Sequence, residues 1–200
     1  MYRKILTSVA LLSTMGCASG QYSPPTSMAG DNTRTISLPY NKVWQNTIDF
    51  ASKNFFGIDN FEKDSGLLTL SFGAFNASKY VDCGTITVTG AINFSGSYVD
   101  YITTHNEATL EGRMNIVAKP EGNNTSVTIN TRYVLSSPAR IVQAPLGGFI
   151  QIPAMSWTFT NKNSDTSVIA NPLPGTPNTR TCQSTGIAEQ EILNGINISQ

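Results

Sequence analysis

The sequence predicts an α+β fold of a single domain, in which one antiparallel sheet packs against an N-terminal and a C-terminal helix. Three observations support this fold class. Hydrophobic residues make up 40% of the 200 residues and charged residues only 13%, and the polar remainder is rich in Thr, Ser, Asn and Gly, which suit strands and turns. Apolar and polar residues alternate over long segments in the middle of the chain. Helical spacing of apolar residues occurs near both ends.

The N-terminal helix is predicted directly after a short strand at residues 33–38. Pro39 suits the first helical turn, and Gly57 stands where a left-handed C-cap is expected. Between them, apolar residues recur at helical spacing and form one stripe: Tyr40, Val43, Trp44, Thr47, Ile48, Ala51 and Phe55. Such a stripe is more typical of a helix packed on a core than of a ligand-binding surface.

Strands are predicted by alternation in most of the segments that follow. Residues 58–62 and 67–72 form a hairpin around the turn sequence Lys63-Asp64-Ser65-Gly66. Further strands are expected at residues 85–94, 108–118, 126–135 and 155–160, which together predict an antiparallel sheet with one buried face. Residues 161–165 and 172–177 have the composition of a turn and a proline-rich connection. Residues 186–198 predict the C-terminal helix, with Ala188, Ile192 and Ile196 on one face.

Residues 138–153 break this alternation. Pro145, Gly147, Gly148 and Pro153 interrupt a segment that is otherwise apolar. We expect an apolar insertion or long loop there. Two interpretations are open: a buried crossover, or a surface for a partner or ligand.

The first residues predict export and membrane anchoring. Arg3 and Lys4 precede an apolar run at residues 5–12, which is too short to span a bilayer and fits a cleaved signal peptide of residues 1–16. The sequence of residues 12–17, LSTMGC, resembles the lipobox of bacterial lipoproteins. That resemblance implies acylation of Cys17 and, with Ala18 next to it, attachment to the outer membrane. The alternative is a secreted protein cleaved near Ala18. Residues 17–32 are polar and predict a flexible tether, which leaves residues 33–200 as the folded domain.

The other cysteines, Cys83 and Cys182, are an even pair in an exported chain, which predicts one disulfide. It would tie the start of the C-terminal helix to the middle of the chain. The alternative is two reduced, buried thiols. A zinc site needs four ligands, and the chain adds a single histidine, so we expect no metal site and no cofactor.

No catalytic residue is predicted. His105 lies in a polar stretch between strands without a nucleophile elbow or metal-ligand spacing. Four carboxylates could pair as in glycoside hydrolases, but turn or surface roles fit each better: Glu62, Asp64, Glu107 and Glu111. Gly147-Gly148 lacks the Lys-Ser/Thr of a phosphate-binding loop. The zero net charge, without a cluster of Lys and Arg, argues against nucleic-acid binding.

Two stretches resemble the helix-grip modules of BamC-like outer-membrane lipoproteins: residues 37–44, SLPYNKVW, and residues 61–68, FEKDSGLL. The resemblance covers residues 33–72, and beyond them only the order of the elements. It implies a helix-grip-like domain, lipid anchoring and work by contact with another protein. We expect the anchor in the outer membrane, with the periplasmic face favoured over the cell surface. The expected function is therefore non-enzymatic. The alternative is binding of a lipid or small apolar ligand in a groove between helix and sheet.

Overall fold

The computed structural model describes residues 19–26, 30–54, 56–90, 92–143 and 147–198. The predicted signal peptide and Cys17 lie outside the described residues. The described helices are α1 (Tyr40–Lys53), α2 (Ala77–Tyr80), α3 (Tyr98–Asn106) and α4 (Ile187–Ile198). The described strands are β1 (Ser19–Ser23), β2 (Thr33–Ile36), β3 (Gly57–Glu62), β4 (Leu67–Ala74), β5 (Val81–Asp82), β6 (Thr85–Thr89), β7 (Phe94–Ser97), β8 (Thr109–Glu121), β9 (Asn124–Ser137), β10 (Arg140–Gln143), β11 (Phe149–Ile152), β12 (Met155–Thr160), β13 (Asp165–Val168) and β14 (Thr179–Ser184).

The predicted fold class, an α+β domain with one helix-grip-like sheet, is wrong. Of the described residues, 50% lie in strands and 22% in helices, and the strands form several antiparallel sheets with four short helices. Beside the largest sheet, the described residues form three smaller ones, β1-β6-β7, β10-β11 and β13-β14-β5. Strand β6 alternates and is the first half of the strand predicted at residues 85–94, whereas β1, β5, β7 and β13 are short and carry little of the apolar alternation on which the prediction depended. The turn expected at residues 161–165 and the connection expected at residues 172–177 left β13 (Asp165–Val168) unpredicted.

The largest sheet has six strands in the order β12-β9-β8-β4-β3, and β2 also pairs with β9. The long hairpin of β8 and β9 pairs from Thr109↔Ser136 to Glu121↔Asn124. Alternate side chains of both strands are buried, which confirms the two strands predicted at residues 108–118 and 126–135. The predicted hairpin of β3 and β4 is also confirmed.

Helices α1 and α4 lie against this sheet and against each other. They share one core cluster, which includes Val43, Trp44, Ile192 and Ile196 with side chains of β4, β8 and β9. The buried Asn46 side chain on α1 donates to the carbonyl oxygen of Ile196 at 2.9 Å. Helix α1 ends at Lys53, and Asn54 is its C-cap. The C-cap expected at Gly57 is wrong, because the chain at Gly57 is already extended and paired with β4 as the first residue of β3.

A second core cluster lies around α3 and the disulfide. Cys83 and Cys182 are bonded and fully buried, and they pack with Tyr98, Ile102 and Trp157. Cys182 lies in β14, which leads into α4, and its neighbour Gln183 pairs with Asp82 of β5. The bond therefore joins the C-terminal segment to the middle of the chain.

The structure also departs from the flexible tether expected for residues 17–32. Strand β1 pairs with β6 along its whole length, from Ser19↔Thr89 to Ser23↔Thr85. The Tyr22 hydroxyl donates to the carbonyl oxygen of Cys83 at 3.0 Å. The backbone N–H of Gly20 donates to the carbonyl oxygen of Pro174 at 2.8 Å. Composition predicted a tether because the segment is polar, but backbone hydrogen bonds to a neighbouring strand need no apolar side chains.

Candidate functional site

The apolar segment at residues 138–153 forms a two-stranded structure. Strands β10 and β11 pair with each other and, within the described chain, with no third strand; we call this pair the arm. Residues opposite each other in an antiparallel pair share a face, so the arm has an inner face with Val142↔Ile150 and Arg140↔Ile152. Its outer face carries Ile141 and Phe149, which are 69% and 81% exposed.

A pocket of about 360 Å³ lies between the inner face of the arm, helix α3 and the loop after β13; we call it the arm pocket. Most of its wall is aliphatic or aromatic, as is typical of small-molecule sites. Its wall includes Tyr98, Tyr101, Ile152, Leu173 and Arg180. The structure thus brings the unassigned apolar segment over a partly open, mostly apolar pocket.

Arg180 is the charged residue in the wall of this pocket, and it is only 2% exposed. Its Nη1 donates to the carbonyl oxygens of Pro177 and Thr179 at 2.7 and 2.8 Å. Its Nη2 donates to the hydroxyl of Thr176 at 3.0 Å. The guanidinium also lies 4.2 Å from the ring centre of Tyr22 and 5.2 Å from that of Tyr98. Its Nε is buried and has no hydrogen-bond partner.

No carboxylate neutralises this cation within the described chain. The ion pairs found there join Lys79 to Glu191 and Arg113 to Asp59, and the lining of the arm pocket contains no Asp or Glu. A second guanidinium is close by, because Nη2 of Arg140 donates at 2.9 Å to the side chain of Asn106, another lining residue. The pocket is therefore both apolar and positively charged.

The phenols around Arg180 remain neutral at physiological pH. Burial raises the pKa of Tyr98 to about 12, although the nearby charge of Arg180 acts in the opposite direction. Burial also raises the pKa of Tyr22 and of Tyr101. These groups offer aromatic surface and hydroxyl groups to a ligand, and they do not carry a negative charge that would balance Arg180.

The titratable residues considered from the sequence lie in three places: at the end of α3, at the turn between β3 and β4, and on β8. His105 is in the last turn of α3, with its ring 5.0 Å from that of Tyr101 and 6.2 Å from that of Phe94. Glu62 accepts a hydrogen bond from Ser65 at the turn between β3 and β4, and Asp64 lies in the same turn. Glu107 caps α3 in the left-handed conformation, with φ 53°, and Glu111 is exposed on β8. No metal-binding group of three or more His, Cys, Asp or Glu side chains occurs among the residues that the structure describes.

The groove expected between helix and sheet is an open depression of about 970 Å³. It is bounded by the ends of α1 and α4, by α2 and by β4, and Phe56, Phe72 and Tyr80 form its aromatic floor. The ion pair of Lys79 and Glu191 lies on its rim. The arm pocket is smaller and more enclosed, and it is the better site for a small apolar ligand.

The sequence interpretation did not single out Arg180, Tyr98 or Tyr22. One signal for Arg180 was present, since Cys182 two residues later was expected to be buried in a disulfide and side chains at i and i+2 of a strand share a face. The two tyrosines gave no comparable signal.

Comparison with known proteins finds no matching family model, no similar curated protein and no similar solved structure. The resemblance of residues 33–72 to BamC-like lipoproteins therefore stays a prediction. Among the described helices, none combines the length and the apolar character that crossing a bilayer requires.

Proposed function

We propose that this chain is a non-enzymatic, lipid-anchored protein of the bacterial envelope that binds the apolar part of a small amphipathic ligand in the arm pocket. The observation that carries this proposal is the pocket itself, with its apolar wall closed on one side by the inner face of the arm. Its volume of about 360 Å³ is near the lower end of the range for small-molecule sites. The ligand is therefore a single short acyl or alkyl chain or a compound of similar size.

The position of β1 favours a ligand that comes from the membrane. Gly20 is hydrogen-bonded to Pro174, and a Cβ placed on Gly20 would lie 3.2 Å from Cβ of Leu173 in the pocket wall. Cys17 is three positions before Gly20 in the sequence, and three residues of extended chain span at most about 11 Å. Acylation of Cys17 would therefore hold the pocket next to the bilayer surface, where amphipathic molecules are concentrated.

Calorimetry with decanol tests the ligand proposal. The full chain carries Cys17→Ser, which removes the acylation site and avoids detergent that would compete for the pocket. Ile152→Glu places a charge in the apolar wall, and Ile141→Glu places the same charge on the outer face of the same arm. We expect saturable binding that Ile141→Glu leaves unchanged and Ile152→Glu weakens at least about tenfold, because burying a charge beside an alkyl chain is unfavourable. No binding to the Cys17→Ser protein, or an equal loss in both variants, would contradict the proposal.

The outer face of the arm favours a second function, contact with another envelope protein. Ile141 and Phe149 are exposed on the same face of a two-stranded sheet whose edges pair with no other described strand. Such an edge can add a strand from a partner, with the exposed side chains providing apolar contact. The arm therefore suits a protein segment in extended conformation.

Photocrosslinking in the native envelope tests this second function. A crosslinking amino acid replaces Phe149 on the arm or, as the control, Val168 on β13, which is also apolar and 70% exposed. We expect a discrete protein adduct from position 149 and none from position 168. The same adducts from both positions, or none from position 149, would refute the assignment of the arm.

A further inference from the structure

We infer that the ligand of the arm pocket is an anionic amphiphile, whose carboxylate or phosphate group binds Arg180 while its chain lies along the apolar wall. The inference rests on the proposed function and goes beyond it by naming the class of ligand. It depends on three features of the pocket: a buried cation, the absence of a counter-ion in the wall, and a donor without an acceptor.

The cation is incompletely compensated. An arginine has five N–H donors, and the groups that accept from Arg180 are neutral: the oxygens of Thr176, Pro177 and Thr179 and the hydroxyl of Tyr98. Its Nε–H has no acceptor although the atom is buried. Buried charges in proteins are normally paired, and a carboxylate or phosphate can accept from a guanidinium through two oxygens at once. An anionic ligand would supply both the missing charge and the missing acceptor.

The surroundings of Arg180 favour an anion over a neutral or cationic group. The lining residues contain no carboxylate, and burial keeps the nearby phenols of Tyr22 and Tyr98 protonated by raising their pKa. Asp82, whose charge acts on Tyr22, accepts a hydrogen bond from the amide of Gly84 and forms no ion pair with Arg180. Arg140 adds a second positive charge next to the lining residue Asn106. A cationic headgroup would be repelled by both guanidinium groups.

Four probes with the same chain length separate the headgroup from the chain: decanoate, decyl phosphate, decanol and decyltrimethylammonium. With the Cys17→Ser full chain at neutral pH, we expect at least one anion to bind about tenfold or more tightly than decanol, since hydrogen bonds to charged groups are the stronger ones. The cation should bind most weakly. The order of decanoate and decyl phosphate identifies the headgroup as a carboxylate or a phosphate.

Titration of the ligand gives a test that needs no variant of Arg180. Lowering the pH through the pKa of the carboxyl group of decanoate removes the charge of the ligand and should reduce its affinity to that of decanol. The affinity of decanol should not change. If neither decanoate nor decyl phosphate binds more tightly than decanol at neutral pH, the headgroup inference fails and the proposed function stands. If none of the four probes binds, the proposed function itself fails.

Substitutions then assign the preference to Arg180. Arg180→Met should abolish the preference for the anion and retain binding of decanol, whereas Arg180→Lys should retain part of the preference because it keeps the charge. Arg113→Met is the matched control, since it removes the same charge from a side chain that is 66% exposed. An unchanged preference in a folded Arg180→Met protein would overturn the inference. Urea unfolding verifies that each variant is folded. If Arg180→Met does not fold, the pH dependence of decanoate binding to the Cys17→Ser chain tests the inference instead.

Discussion

The disulfide between Cys83 and Cys182 stabilises the part of the fold that contains the arm pocket. Arg180 lies two residues before Cys182 on β14. On the other side, the carbonyl oxygen of Cys83 accepts the hydrogen bond of Tyr22, on whose ring the guanidinium lies. Removal of the bond by Cys83→Ala with Cys182→Ala should therefore reduce both the stability of the chain and the affinity for decanoate.

The magnitude follows from the length of the closed loop. The two cysteines are 99 residues apart, and the loss of loop entropy in the unfolded chain predicts about 4.7 kcal/mol for a loop of this length. Both side chains are fully buried, so loss of the sulfur atoms adds a small cavity term. We expect the free energy of unfolding to fall by about 4 to 5 kcal/mol.

Urea unfolding of the Cys17→Ser chain and of its double-alanine derivative measures this difference. Reduction of the Cys17→Ser chain with dithiothreitol provides a second measurement, in which the disulfide is opened and both sulfur atoms stay. The reduced protein should lose most of the stability that the double variant loses, because both lack the cross-link. A decrease of the free energy of unfolding below about 2 kcal/mol in both the double variant and the reduced protein would refute the loop-entropy reasoning.

Three further predictions concern single residues. Burial raises the pKa of Tyr98 from 10.0 to about 12, so above pH 10 the unfolded chain releases a proton that the folded chain retains. The free energy of unfolding should therefore fall by about 1.4 kcal/mol per pH unit above pH 10 because of Tyr98. In urea unfolding at a series of pH values, Tyr98→Phe should show a weaker pH dependence than the unsubstituted chain, and equal pH dependence would contradict the assignment to Tyr98. Trp44 is 3% exposed, its ring lies 5.4 Å from that of Phe61, and its Nε1 has no partner. Trp44→Ala should therefore lower the free energy of unfolding by about 3 to 5 kcal/mol and Trp44→Phe by much less, and similar urea midpoints for the two would show that the ring does not act by packing. Mass spectrometry of the native product should find an acylated N-terminus at Cys17, and a mature chain that begins elsewhere would remove the anchor.

The parts of the fold that could be predicted from the sequence are those whose side chains alternate visibly. Strands β8, β9 and β12 place apolar residues on every second position, and they were found within a few residues of their bounds. Strands β1 and β13 could not be found in this way, since their partners hold them mainly through the backbone. Because those strands build the additional sheets, the predicted fold class was too simple.

The candidate site depended on tertiary contacts that no local pattern contains. The sequence showed that the segment of the arm is apolar. It did not show which of these residues face the pocket, because that depends on the register of β10 and β11, in which Arg140 is opposite Ile152. The opposite wall comes from Leu173, in a segment that the composition marked only as a proline-rich connection. Arg180 was not singled out either, since it shares a face with Cys182 only through β14, a strand that the sequence analysis did not predict.

The arm connects the two proposed functions, because Ile152 and Ile141 belong to opposite faces of one two-stranded sheet. An isolated pair of strands is only marginally stable, so a ligand under the inner face should order the arm and strengthen the contact made by its outer face. Thermodynamic linkage requires that the partner then strengthen ligand binding by the same factor. Saturating decanoate should therefore raise the yield of the adduct formed from position 149, and Arg180→Met should remove that increase while leaving the basal yield. An adduct yield that is independent of decanoate would mean that the two faces of the arm act separately.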